Sequence, residues 1–230
     1  MKDDCIGIID SGIGGYSILQ RLQKACPHES FVYLMDKAHF PYGTKSKTEL
    51  IRIMANNVEY LVSRFHIKML VIACNTATLT TISALKKQFH LPIFGIMPTD
   101  VELKGDEVMF CTNLSARFVP KTCKVIKCKR LADDIEKYYF CPKLLEKTLK
   151  KVFKNYSERR VVLGCTHYLL VADKLHEIYP KMTIIDNSRK LIDNVVTTLD
   201  RYGLRTMMTA SRVDYIMTKL IYTTSAFLPF

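Results

Sequence analysis

Two cysteines hold matching places in the chain. Residues 69–78 read Met-Leu-Val-Ile-Ala-Cys-Asn-Thr-Ala-Thr and residues 161–168 read Val-Val-Leu-Gly-Cys-Thr-His-Tyr. In each, an apolar run gives way to one small residue, a cysteine, and then hydroxyl or amide side chains. A short β-branched run that stops at Ala73 or Gly164 and passes into a helix-compatible segment predicts a buried parallel strand feeding a helix. Cys74 and Cys165 then stand at the carboxyl edges of their sheets. Asn75, Thr76 and Thr166 suit helix starts, where unpaired N–H groups and the positive end of the helix dipole lower a nearby thiol's pKa. Both sulfurs are expected to be reactive.

Several chemistries use such thiols. A cysteine hydrolase needs a histidine base; His167 is two residues from Cys165, but that scheme leaves the second cysteine idle. A redox dithiol would show Cys-x-x-Cys, which is absent. Cys111, Cys123, Cys128 and Cys141 lack the paired spacing of structural zinc ligands, so no metal is expected. They, with Cys5 and Cys26, are taken as small apolar core residues or bystanders. A symmetric pair of thiols across a cleft does something else: one thiolate removes a proton from one face of a tetrahedral carbon and the opposite thiol returns one. This inverts a stereocentre, and a cysteine suits the task because its pKa can be tuned near working pH. Groups beside each sulfur that could relay its proton are Asp10 and His167.

The elements that must position these groups alternate strand and helix. Cys5–Ile9 predicts a strand running into Asp10-Ser-Gly-Ile-Gly-Gly15, whose glycines let the backbone turn and approach a ligand, followed by a helix from Tyr16 to Gln23. The spacing of those glycines is not that of a dinucleotide-binding loop. Asp10 stands at the strand's end, where a helix-capping role is the alternative to chemistry. A second strand over 31–35 delivers Asp36 and the turn Lys37-Ala-His-Phe-Pro-Tyr-Gly43. A helix over 47–65 presents Leu50, Ile53, Met54, Val58, Leu61 and Val62 on one apolar face. Strands at 69–73 and 91–96 flank a helix ending near Gln88. A polar crossing over 98–106 marks a boundary. Beyond it come strands at 107–110, 160–164 and 182–185, helices at 129–139, 142–156 and 167–179, and a last helix from Arg189 to about Tyr202 that packs back across the lobes. The tail ends apolar at Phe227–Phe230. This alternation predicts an α/β fold of two doubly wound lobes. The expected division is residues 1–97 with 186–230 around Cys74, and 98–185 around Cys165.

Composition narrows the class. A chain of 230 residues, 48% hydrophobic, is long enough for a substantial core. No apolar run approaches the length of a membrane span and no apolar leader is evident, so a cytoplasmic protein is expected. The net charge of +12 is largely local: residues 121–160 hold 13 Lys/Arg against 5 Asp/Glu. A solvated, Lys-rich helical face is preferred over a nucleic-acid footprint, because Lys outnumbers Arg and no binding motif accompanies it.

At these residues the sequence resembles the glutamate racemase family, cofactor-independent amino-acid racemases that supply D-glutamate for peptidoglycan. The matching motifs are Asp10-Ser-Gly-x-Gly-Gly15, Asp36-x-Ala-x-Phe-Pro-Tyr-Gly43, Ala73-Cys-Asn-Thr-Ala77, Gly164-Cys-Thr-His167 and Ile185-Asp186, in family order over essentially the whole chain. The resemblance implies two lobes related by a pseudo-two-fold axis with the site in the cleft, Cys74 and Cys165 as the acid–base pair, and Asp10 and His167 assisting them. It implies a substrate pocket lined by Ser11, Pro41, Tyr42, Gly43, Asn75, Thr76, Thr112, Ser115 and Thr166, glutamate as substrate, no cofactor, and a homodimer. The chain departs from the family at Met97-Pro98, where Glu-Pro is usual, which leaves the site one carboxylate short. Ser115 stands in place of a Thr, Leu169 in place of a Pro, and the second lobe is shorter. A racemase for another small amino acid such as aspartate, or a basic binding protein with little catalysis, are the alternatives.

Overall fold

A computed structural model describes residues 4–206 and 212–218. The apolar tail at 227–230 lies outside them. The chain forms two all-parallel sheets. The first is ordered β4-β3-β1-β2-β9, from β1 (Ile6–Asp10), β2 (Phe31–Met35), β3 (Met69–Ile72), β4 (Ile93–Gly95) and β9 (Val213–Met217). The second is ordered β6-β5-β7-β8, from β5 (Val108–Cys111), β6 (Lys124–Lys127), β7 (Arg160–Gly164) and β8 (Thr183–Ile185). The helices are α1 (Tyr16–Ala25), α2 (Lys47–Phe65), α3 (Asn75–Gln88), α4 (Leu131–Tyr138), α5 (Pro142–Phe153), α6 (Thr166–Leu170), α7 (Ala172–Ile178) and α8 (Arg189–Arg201).

The central strands β1 and β3 are buried along their whole length, which is why they read as unbroken apolar runs rather than alternating ones. One hydrophobic core runs through both sheets, taking in Ile8, Tyr33 and Val71 from the first, Phe110 and Leu163 from the second, and Tyr168 from α6. A second cluster fills the other face of the first sheet under α2, with Leu50, Met54, Val58 and Leu61. Ser46 starts α2 by accepting from the Glu49 N–H at 3.2 Å, a side-chain cap of the kind that satisfies a helix's first free donors.

Both sheets change winding direction beside their first strand. In the first, the chain runs from β1 to β2 on one side and then returns to β3 on the other. In the second, it runs from β5 to β6 and then returns to β7 on the other side. Open parallel sheets have a crevice at the carboxyl ends of the strands where such a switch occurs. Asp10 and Cys74 border one crevice; Thr112 and Cys165 border the other.

Where the structure differs from expectation, local chemistry explains it. β6 was not foreseen: Lys-Val-Ile-Lys is four residues long with an exposed lysine at each end, the charged style of an edge strand. β9 was likewise missed, since Val-Asp-Tyr-Ile-Met mixes polar and apolar positions at a sheet edge. The helix expected over 167–179 is broken at Val171 into α6 and α7, and the one expected over 142–156 ends at Phe153 in a 3-10 turn. The helix from Arg189 packs against α1 and β4 of the first sheet. On α5, Leu145, Leu149 and Phe153 are buried while Lys143, Lys147, Lys150 and Lys151 face solvent. No helix among the described residues is long and apolar enough to cross a membrane.

Candidate active site

Each cysteine is the residue that caps a helix after a parallel strand. Cys74 follows Ile72 and Ala73 and opens α3; Cys165 follows Gly164 and opens α6. Both have extended backbones and both are 8% exposed. Their carbonyls accept the first helical bonds, from Thr78 N–H at 2.8 Å and from Tyr168 N–H at 3.0 Å. The two sulfurs therefore occupy equivalent local structures, as the sequence repeat predicts. The expectation that a helix start lowers the thiol is overturned at Cys74. The N–H groups of Ala77 and Thr76 do pull its pKa down, but burial, then the charges of Asp10 and Cys165, push it well above the ordinary value. Cys74 is held as a thiol. Of the remaining cysteines, Cys5, Cys26, Cys111 and Cys123 are buried, Cys128 is half-buried and Cys141 is exposed.

Asp10 ends β1 in full burial. It does not cap a helix; α1 begins at Tyr16, after Gly15, without a side-chain cap. Its Oδ1 accepts from the Ser11 N–H at 2.7 Å, and its Oδ2 accepts from the Thr166 hydroxyl at 3.1 Å, reaching across to the second lobe. Burial raises its pKa to about 6, against the opposing pull of the His167 charge and these two bonds. A Cβ on Gly15 would sit 2.7 Å from the Cβ of Asp10, so glycine is needed there.

His167, in the first turn of α6, is 2% exposed. Its Nε2 lies 2.7 Å from Oε2 of Glu136, a residue of α4. Burial by itself would depress the imidazole, but hydrogen bonds with Cys165 and Glu136, together with the charges of Cys165 and Asp10, push it up to about 10. Glu136 is driven the other way. Burial favours its neutral form, yet bonds from His167, Lys37 and the Ile13 N–H hold it down at about 2. The pair is an imidazolium and a carboxylate. The glycines of the first loop make room for it: a Cβ on Gly12 would fall 2.4 Å from Oε2 of Glu136, and one on Gly14 would fall 2.5 Å from Nδ1 of His167. The close approach these glycines permit is thus to side chains of the opposite lobe, where the sequence pointed to a ligand.

Hydroxyl and amide groups line the rest of the cleft. Thr76 Oγ1 lies 3.1 Å from Thr112 Oγ1 and 3.3 Å from Ser115 Oγ, and Thr112 bonds Ser115 at 3.0 Å. This brings α3 of the first lobe against the loop after β5 of the second. Asn75 is 2% exposed, and among the described residues neither its Oδ1 nor its Nδ2 has a partner. A buried amide without partners is costly, so this one is preset for a polar ligand. The loop that holds Pro41, Tyr42 and Gly43 is organised by Asp36, which is fully buried and accepts from the Tyr42 hydroxyl at 2.9 Å, Asn57 Nδ2 at 2.9 Å and Thr218 Oγ1 at 2.5 Å, with His39 Nδ1 also 2.9 Å away. Gly43 faces Thr112 across the cleft; a Cβ there would be 3.9 Å from that of Thr112. Gly43, Thr80 and Leu114 line a cavity of about 380 Å³ next to the hydroxyl cluster, together with Lys45, Lys47 and Arg117.

No family model matches the chain. The glutamate racemase of Clostridium acetobutylicum is 35% identical to it over 231 residues, an alignment that takes in 89% of this chain and 87% of that protein. The chain belongs to the glutamate racemase family. Among solved structures, a glutamate racemase isoform from Bacillus anthracis superposes with a TM-score of 0.79 at 25% identity, covering 95% of this chain and 90% of that one. The glutamate racemase of Francisella tularensis, in complex with D-glutamate, superposes with a TM-score of 0.75 at 23% identity, covering 96% and 90%.

Of the residues to which the family resemblance points, the structure joins Asp10, Ser11 and Thr166 by hydrogen bonds, with Cys165 and His167 flanking Thr166, and joins Thr76, Thr112 and Ser115; Cys74, next to Asn75, feels the charges of Asp10 and Cys165. The Tyr42 hydroxyl is engaged with Asp36. Sequence reasoning missed Glu136. Whatever the departure at Met97, the cleft holds a further carboxylate, because α4 delivers Glu136 beside His167. The only local signal for it is a carboxylate directly after the buried Ile135, at the border of an amphipathic helix.

Proposed function

We propose that the chain interconverts L- and D-glutamate by proton transfer between two cysteines on opposite faces of the substrate's α-carbon. Cys165, beside the His167 imidazolium, takes the α-proton of L-glutamate. Cys74, held as a thiol next to Asp10, delivers its proton to the opposite face of the resulting carbanion, and the product is D-glutamate. The reverse reaction exchanges the roles. After each turnover the protons sit on the opposite sulfur from where they began, and Asp10 and His167 are the groups through which they are restored. The hydroxyls of Ser11, Thr76, Thr112, Ser115 and Thr166, the free amide of Asn75 and the Pro41-Tyr42-Gly43 turn hold the carboxylates and ammonium of the substrate. General acid–base groups must lie within hydrogen-bond reach of the proton they move, which assigns these roles to side chains lining one cleft.

The observation that carries this reading is the duplication of one device: a buried cysteine at the switch point of each sheet, each with its own buried proton-handling partner. Membership of the family supports glutamate as the substrate. The reading includes a lobe boundary near residues 97/98 and 185/186, a homodimeric working form in the cytoplasm and a product destined for peptidoglycan. Light scattering on the purified protein measures the dimer.

Circular dichroism of L-glutamate incubated with purified protein under reducing conditions, without added pyridoxal phosphate, tests the reaction. Decay of the signal to zero is the expected result, since equal amounts of two enantiomers have none. An unchanged signal with L-glutamate, or decay only with L-aspartate, would sink the proposal.

A further inference from the structure

Glu136 has two carboxylate oxygens with different duties. Oε2 accepts from the Ile13 N–H at 2.9 Å and faces His167 Nε2 at 2.7 Å. Oε1 is taken by the ammonium group of Lys37, which lies in the loop after β2 on the opposite lobe. Among the described residues, Lys37 is the one Lys or Arg paired with Glu136. The same loop also presses on the imidazole: the Lys37 ammonium is 4.9 Å from the centre of the Phe40 ring, and that ring is 5.7 Å from the ring of His167.

We propose that Lys37 is a positioning residue for the Cys165 half of the site, fixing through Oε1 the carboxylate plane of Glu136 and, through Oε2, the orientation of His167 against Cys165. The inference rests on the assignment of Cys165 as one of the two acid–base groups. Its physical basis is torsional. The last torsion of a glutamate side chain is broad and two-fold, so a carboxylate held at one oxygen alone turns readily. The side chain of Glu136 is only 9% exposed, and without Lys37 its Oε1 would be a nearly buried charged atom with no partner, which favours rotation toward the donors now on Oε2. Charge balance points the same way. Asp10 and Glu136 contribute two carboxylates to the cleft, His167 and Lys37 two cations. Loss of Lys37 leaves an excess of negative charge where glutamate, itself anionic, must form a carbanion.

The test uses the full chain with Lys37→Met and Lys37→Arg, assayed in both directions with α-protonated and α-deuterated enantiomers. Enantiomers are equal in free energy, so kcat/KM must fall equally in both directions. A fall on the order of tenfold is expected for Lys37→Met, a part of the roughly 10²- to 10⁴-fold that a positioned acid or base supplies. The primary deuterium isotope effect should rise for L-glutamate and drop for D-glutamate, because transfer at Cys165 becomes the slower step. Lys37→Arg should restore most of the rate and the parent isotope effects. Parent rates in Lys37→Met, or a slower reaction whose two isotope effects keep their parent ratio, would overturn the proposal. Should Lys37→Met fail to fold, Lys37→Gln is judged by the same results. Cys165→Ala, measured alongside, separates the two ideas: parent-level racemisation in that variant removes the two-thiol assignment itself, whatever Lys37 does.

Discussion

The surroundings of Cys74 and Cys165 differ more than their backbones do. Both sulfurs cap a helix after a buried strand and are equally covered. Beside Cys74 lies Asp10, an acid whose own pKa burial has lifted to about 6. Beside Cys165 lies His167, a cation held by Glu136, which Lys37 holds in turn. Fold symmetry thus places two thiols symmetrically, while the helices and loops around them supply opposite charges. An enzyme that moves a proton between two sulfurs needs one protonated and the other able to accept; burial, and after it a negative neighbour, keep Cys74 protonated, and the cationic neighbour stands at the other sulfur. The asymmetry also spans the cleft, since Asp10 bonds Thr166 of the second lobe and Glu136 bonds Ile13 and Lys37 of the first. Each station is completed by residues of the opposite lobe.

The comparison breaks most sharply at the sulfurs. Replacing either cysteine by Ala should abolish racemisation, a loss of at least about 10³-fold, because one sulfur cannot serve both faces of the carbon. The two variants should differ in what survives: Cys165→Ala would exchange only the α-hydrogen of D-glutamate with solvent deuterium, and Cys74→Ala only that of L-glutamate. Proton NMR in D2O reads this directly, and exchange of the same enantiomer by both variants would contradict the assignment of faces.

A smaller effect is expected at Glu136. Glu136→Gln removes the anion that helps raise His167, so the imidazole loses its proton at lower pH. Activity should drop by roughly 10²-fold, and the alkaline limb of the pH profile should move to lower pH. A variant that lost activity with an unmoved alkaline limb would show that Glu136 does not act through the charge of His167.

The smallest effect, on stability, sharpens the contrast at Asp10. Its folded pKa, about 6, lies above the 3.8 of an ordinary aspartate. The folded state therefore binds this proton more tightly than the unfolded state, and stability is lost as pH rises from about 4 to about 6, then stays level. Asp10→Asn removes that titration. Above pH 6 the variant should be more stable than the parent by about 1–3 kcal/mol, less whatever the altered bonds to Ser11 and Thr166 cost, while its activity falls. Urea unfolding at pH 4 and pH 7 measures the difference; a variant no more stable at pH 7 relative to the parent than at pH 4 would refute it. Burial of Asp10 is then a stability cost carried for the chemistry at Cys74.

Much of this site is legible without coordinates, for a physical reason. Strand, small residue, cysteine and helix start are adjacent in the chain, and their pattern is set by local burial and backbone conformation, so the duplication at Cys74 and Cys165, the α/β class and the Asp10 strand end all follow from short-range periodicity. The boundaries of α2 and the start of α5 do too, because their apolar faces repeat every third or fourth residue. β6 and β9 escape this logic: both are edge strands with polar residues among the apolar ones, and the place of β9 is decided by its pairing with β2, far away in sequence. The charge network escapes it for the same reason. Ile13 meets Glu136 across 123 residues and Lys37 meets it across 99, separations at which no spacing rule operates. Residue types and order determined that two thiols would face a cleft; which charges stand beside them was decided only when the two lobes packed together.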